Sequence, residues 1–145
     1  MANLAQGAQM ESRPLTVKGL SLHLGISFTD LLIPCCFCQR FLTNVEKSLC
    51  DSAPFNLRWK DECVFGCCQS CIRHCGRLER ACYFERQLSE TEVKNLDLKF
   101  DWIRCQWCMR TLTLQEKQIC GAEQSLSLVR GRVRGRCGLC RLSAV

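Results

Sequence analysis

Ile33-Pro-Cys-Cys-Phe-Cys-Gln-Arg-Phe-Leu-Thr-Asn-Val-Glu-Lys-Ser-Leu-Cys50 and Ile103-Arg-Cys-Gln-Trp-Cys-Met-Arg-Thr-Leu-Thr-Leu-Gln-Glu-Lys-Gln-Ile-Cys120 align without a gap, seventy positions apart. Nine of the eighteen positions are identical, and Phe37 and Trp107 exchange one aromatic for another. Each copy opens with a Cys-x-x-Cys knuckle and is followed by a second one, Cys68-x-x-Cys71 and Cys137-x-x-Cys140. The intervals are 29 residues from Cys38 to Cys68 and 28 from Cys108 to Cys137, so the copies differ by one loop residue. The chain therefore reads as two tandem copies of one small module.

The repeat decides which cysteines act together. In a self-contained module, Cys35, Cys38, Cys68 and Cys71 hold one Zn²⁺, and Cys105, Cys108, Cys137 and Cys140 hold a second. A tetrahedral zinc takes four thiolates, and a Cys-x-x-Cys turn presents two of them to one ion. A module this small buries little core, so metal binding supplies much of its folding free energy. Fifteen cysteines in 145 residues is far above ordinary usage. Residues Met1 to Pro14 lack an apolar core of signal-peptide type, so the expected compartment is reducing, where clustered cysteines bind metal. Cys36 and Cys67 adjoin ligands but fall out of register. Cys50 and Cys120 occupy equivalent positions and read as small core residues. His74 reads as a surface residue, because four cysteines already fill each site.

The expected fold class is α+β, with each module a short sheet with short helices and a linker helix between them. Residues 1–13 read as a disordered arm, 14–71 as the first module, 72–102 as the linker helix region, 103–140 as the second module and 141–145 as a short tail. Thr43-x-x-Glu46 and Thr113-x-x-Glu116 are capping boxes that start a helix after each first knuckle, and Ser89-x-x-Glu92 is a third. Thr16 to Ile33 suggests two short helices around Gly25. Phe55–Trp59 and Ser125–Val129 alternate and read as strands. Ile72, Cys75, Leu78 and Cys82 fall at helical spacing, predicting a helix from Ile72 to about Leu88, which Gly76 weakens.

The net charge of +6 is concentrated in the C-terminal third, where Asp101 to Val145 carries eight Lys+Arg against three Asp+Glu. That suits an acidic partner, nucleic acid or protein, and equally a solvated face. In Arg130-Gly-Arg-Val-Arg-Gly-Arg136, an extended strand would put the four arginines on one side. They could then bind carboxylates or phosphates in bidentate fashion, or keep an edge strand soluble. No hydrolytic triad, phosphate loop or carboxylate pair is present, and zinc bound by four thiolates has no open position for catalysis. The expectation is a binding protein and not an enzyme.

These features resemble the papillomavirus early protein six family. The resemblance rests on the four knuckles, the internal repeat and Val129-Arg-Gly-Arg-Val-Arg-Gly-Arg-Cys137, and it spans about residues 14–142. Val64-Phe-Gly-Cys-Cys-Gln-Ser-Cys71 and Cys137-Gly-Leu-Cys-Arg-Leu142 look like the cutaneous members. The resemblance implies a two-zinc viral regulator, an oncoprotein in some members, whose groove takes an acidic Leu-x-x-Leu-Leu helix of a host protein. In family members that helix belongs to a HECT-type ubiquitin ligase, to a Notch co-activator or to paxillin. Ligase capture redirects degradation onto host factors such as tumour suppressors or pro-apoptotic BAK, with anti-apoptotic and immune-evasion consequences. By position, Arg104, Arg130 and Arg132 would engage the acidic residues, and Phe37, Phe55 and Leu78 would form apolar walls. The resemblance also implies host cytoplasm and host nucleus as locations; a further reading is a purely structural zinc protein that self-associates weakly as a homodimer, as cysteine-rich surfaces often do.

Two departures bear on this. The interval from Cys71 to Cys105 is 33 residues, slightly shorter than in the mucosal oncogenic members. Ser143-Ala-Val145 fits a minimal PDZ-binding pattern, but five residues beyond Cys140 leave little chain to add as a strand, which argues against PDZ binding. The alternative is a basic zinc-containing transcription regulator that binds nucleic acid through the arginine strand. Few aromatics accompany that strand to stack bases, which counts against specific readout.

Overall fold

The computed structural model describes residues 13–142. The expected disordered arm at 1–13 falls almost wholly outside them, as does the Ser143–Val145 tail. The chain divides into two compact units, one ending at Cys68 and one beginning at Gln69.

The first unit opens with α1 (Val17–Leu24), whose N-cap Thr16 accepts from the Gly19 amide and whose C-cap Gly25 takes φ 67°. A 3₁₀ turn (Phe28–Asp30) follows, so the two expected short helices are present. The first knuckle leads into α2 (Asn44–Ser52), capped by the Thr43/Glu46 box. β1 (Arg58–Lys60) and β2 (Cys63–Phe65) pair as an antiparallel hairpin, Trp59 opposite Val64. Val17, Leu20, Leu31, Ile33, Leu42, Cys50 and Leu57 are buried in this unit. The strand is shorter than the alternation of 55–59 suggests. Phe55 instead closes the turn after α2, donating its amide to the Cys50 carbonyl at 2.6 Å.

The second unit begins with α3 (Gln69–Tyr83) and continues directly into β3 (Phe84–Gln87). This corrects the helix expected from Ile72 to about Leu88: it starts three residues earlier and stops five earlier. The reason is tertiary. Phe84 to Gln87 supply an edge strand to β5 (Ser127–Val129), with Phe84 opposite Val129 and Gln87 opposite Ser127, and those ladder bonds replace helical ones. Gly76, which argues against a helix by propensity, is required by packing. A Cβ there would lie 2.2 Å from the Gln106 carbonyl oxygen, so only glycine lets α3 approach the Cys105–Cys108 knuckle.

Beyond β3 come α4 (Glu90–Lys94) with its Ser89/Glu92 capping box, β4 (Arg104–Cys105), and α5 (Leu114–Ala122) with the Thr113/Glu116 box. β6 (Arg132–Gly135) and α6 (Gly138–Leu142) complete the unit. The sheet order is β3-β5-β6-β4, antiparallel except for the parallel β4–β6 pair. Leu88, Ile103, Leu112 and Leu126 bury together with Cys120 and the four knuckle cysteines. Both repeat-matched cysteines are core residues, Cys50 at 2% exposure and Cys120 at 0%. Among the described residues no helix is long and apolar enough to cross a membrane.

Candidate metal centres and basic surface

Each first knuckle is shaped by the same backbone bonds, seventy residues apart. The Cys35 amide donates to Arg40 O at 2.7 Å and the Cys105 amide to Arg110 O at 2.8 Å. The tight return requires a left-handed residue before the arginine, Gln39 at φ 66° and Met109 at φ 61°. The next amide reaches the strand leading to the second knuckle, Cys36 to Gly66 O and Gln106 to Gly135 O, both at 2.9 Å. First and second knuckles are thereby brought side by side.

The result is two groups of four thiols. The sulfurs of Cys35, Cys38, Cys68 and Cys71 lie within 4.8 Å of one another, and so do those of Cys105, Cys108, Cys137 and Cys140. A zinc ion 2.3 Å from four tetrahedral sulfurs places them about 3.8 Å apart. The Cys38–Cys68 and Cys108–Cys137 separations, 3.7 and 3.6 Å, match that spacing. They are far too long for a disulfide, whose sulfurs sit about 2.05 Å apart. The donor set is all-thiolate, closed and mostly buried, which fits structural zinc.

Electrostatics point the same way. Burial opposes charge on Cys35, yet the amides of Cys38, Cys68 and Phe37 aimed at its sulfur hold it down to about 6. A hydrogen bond with Cys108 outweighs burial and holds Cys105 down to about 4. Cys108 is pushed up by that same bond, and burial with the Cys105 charge pushes Cys140 up to about 12. Amides aimed at a sulfur favour the thiolate form in which zinc is bound.

Several supporting residues escape a reading based on ligand spacing. The Cys68 thiol and Glu46 raise the pKa of Arg40; burial opposes the charge of Arg110, but Cys137 and Glu116 outweigh it and raise that pKa as well. The two arginines pair with Glu46 and Glu116 at 2.8 Å. These cations offset the net negative charge of a four-thiolate zinc site. Lys47 and Lys117 are buried at 2% and 7% exposure and tie each helix to the preceding loop. Lys47 Nζ donates to the carbonyls of Phe28 and Leu31, at 2.7 and 3.0 Å. Lys117 Nζ donates to those of Leu98 and Asp101, at 2.9 and 2.7 Å. The signal was present, since Arg, Glu and Lys are identical across the repeat.

The arginine run does not form one common face. Arg130 and Gly131 make the two-residue hairpin turn between β5 and β6, both with positive φ, and the Arg130 guanidinium lies over Tyr83 at 4.9 Å. Arg134 is buried and pairs with Glu79 at 3.0 Å. Arg136 stacks on Trp107 at 4.2 Å. Arg132 is exposed. Arg104 sits opposite Arg134 on the neighbouring strand and donates to Met109 O at 2.6 Å. Its pKa is lowered, by burial first and then by the charges of Arg134 and Arg132. Arg104 and Arg132 therefore share one site, a cavity of about 400 Å³ with Leu96, Trp102 and Val133 in its walls. Arg130 stands apart from it at the turn. Phe37 is exposed and Phe55 half-buried, both in the first unit; Leu78 is half exposed on α3 in the second.

A small α+β protein with two four-thiolate zinc modules is the class this architecture defines. Comparison with known proteins narrows it. The family model for Early Protein (E6) matches residues 35–140. Protein E6 of canine oral papillomavirus (strain Y62) is 39% identical over 132 residues, covering 90% of this chain and 92% of the relative. Protein E6 of human papillomavirus type 1 is 37% identical over 134 residues, covering 90% and 96%. That of Mastomys natalensis papillomavirus is 38% identical over 130 residues, covering 87% and 96%. The chain belongs to the papillomavirus early protein E6 family. None of these relatives carries an enzymatic name.

Proposed function

We propose that this chain is a non-enzymatic viral adaptor that captures an acidic Leu-x-x-Leu-Leu helix of a host protein. The helix would come from a HECT-type ubiquitin ligase or a Notch co-activator, and the outcome would be redirected degradation of host factors such as BAK or altered transcription. Host cytoplasm and host nucleus are the corresponding locations. The observation that carries this reading is the cavity lined by three arginines, Arg104, Arg132 and Arg134, against one carboxylate, Asp101, beside Trp102 and Val133. Like charges held together beside apolar side chains favour an acidic partner that also buries a hydrophobic face.

The test is titration of the zinc-loaded protein with two labelled peptides, one from each partner class. Arg132→Glu is the clean variant, because Arg132 is exposed at the start of its strand, the end away from ligand Cys137. It should lower affinity about tenfold or more while both zincs stay bound. Unchanged affinity would remove the proposed role of the cavity, and a preference between the peptides would assign the pathway. Nucleic-acid binding is the weaker reading, since the arginines of 130–136 do not line one face along which a phosphate backbone could run.

A further inference from the structure

We propose that a second basic cavity in the Gln69–Val145 unit, built on Trp107, binds a phosphoryl group. It encloses about 450 Å³ and draws arginines from three elements: Arg80 from α3, Arg134 and Arg136 from β6 and its end, and Arg141 from α6. Two of these charges are answered inside the protein. Arg134 pairs with Glu79 at 3.0 Å and Arg141 with Glu123 at 2.8 Å.

The other two meet aromatic rings. The Arg136 guanidinium lies 4.2 Å from the centre of Trp107, and that of Arg80 lies 5.6 Å from Trp107 and 4.8 Å from Phe84. Neither has a carboxylate partner among the described residues. Stacking fixes a guanidinium plane while leaving its N–H edge available for a bidentate oxyanion. A mainly solvating arginine would not need that restraint.

Two buried polar atoms add direction. Arg136 Nε is buried without a protein acceptor. Gln106 is 1% exposed and lines the cavity; its Nε2 donates to Gly76 O and Glu79 Oε1, whereas its Oε1 has no protein donor. A phosphoryl group offers acceptor oxygens to both guanidiniums and, when singly protonated, an O–H to Gln106. Inorganic hydrogen phosphate brings that O–H together with two negative charges against the two unanswered arginines, whereas a phosphomonoester brings either the O–H or the second charge. A carboxylate supplies one charge and no donor. The site shares only Arg134 with the Arg104/Arg132 cavity and does not depend on helix capture.

The full zinc-saturated chain should be titrated with inorganic phosphate, O-phosphoserine and acetate at low ionic strength, by calorimetry. Saturable one-to-one binding is expected for a phosphoryl ligand and not for acetate. Tighter binding of O-phosphoserine would assign the site to a phosphorylated side chain; tighter binding of inorganic phosphate would assign it to the free ion. Arg80→Gln removes one charge on a helix surface, away from the Arg136–Cys137 junction, and should weaken binding about tenfold with two zincs retained. Arg80→Glu should abolish it. Non-saturable binding, equal binding of acetate, or undiminished phosphate binding by either variant would overturn the proposal.

Discussion

Lys47→Met tests whether the buried lysines hold each helix to its preceding loop. Lys47 is 2% exposed and its Nζ contacts the carbonyls of Phe28, Leu31 and Thr29 at 2.7, 3.0 and 3.3 Å. Methionine keeps most of the apolar stem in place, so the change isolates the ammonium. The Leu31 carbonyl contact is fully buried, and leaving that oxygen without a donor costs about 1–3 kcal/mol. The other two carbonyls are partly exposed and regain water, adding about 1–2 kcal/mol together. Removing a buried charge returns roughly 1 kcal/mol, leaving a net loss of about 1–4 kcal/mol. Urea unfolding at fixed free zinc reads this loss. Lys94→Met serves as the surface comparison, its side chain being 73% exposed. Amides of the Phe28–Leu31 segment should also exchange faster in the variant. A loss below about 0.5 kcal/mol, the range of ordinary surface changes, would refute the reasoning. Lys117→Met, which removes two equivalent bonds in the second unit, should behave alike.

Gly76→Ala should lower the thermal midpoint although alanine favours a helix by about 1 kcal/mol, because its Cβ would sit 2.2 Å from a backbone oxygen. A midpoint at or above that of the parent would show that α3 can shift freely. Glu79 has its pKa lowered: burial raises it, but hydrogen bonds from Arg134 and Gln106 and the arginine charge prevail. A lowered carboxyl stabilises the fold fully above its ordinary value of 4.5, and that contribution is lost as pH falls from there through the folded value. Glu79→Gln should thus be less stable than the parent near pH 7 and lose less stability on acidification below about 4.5, measured by denaturation in parallel zinc-buffered series. Identical pH slopes for the two proteins would remove Glu79 as the responsible group.

The zinc ligands, the capping boxes at Thr43, Ser89 and Thr113, and the buried Cys50/Cys120 pair were legible because each depends on spacing within a short segment or on identity across the repeat. Spacing of two residues inside a knuckle dictates which sulfurs can share an ion, and a Thr-x-x-Glu box is satisfied by its own backbone. The repeat carried more than was first drawn from it, since Arg40/Arg110, Glu46/Glu116 and Lys47/Lys117 recur with the same partners.

Other features depend on neighbours that are distant in sequence. Phe84 to Gln87 follow a helix without a break, and only the exposed edge of β5 turns them into a strand. The four arginines of 130–136 look equivalent along the chain, yet one makes a turn, one is buried on Glu79, one stacks on Trp107 and one remains exposed. Gly76 reads as a weak point in a helix until the Gln106 carbonyl is placed against it. The sequence by itself determined two four-thiolate zinc modules, because metal geometry acts through local spacing. Only the tertiary structure decided which polar groups are free to meet a partner, because that depends on which carboxylates, rings and carbonyls the fold brings to each side chain.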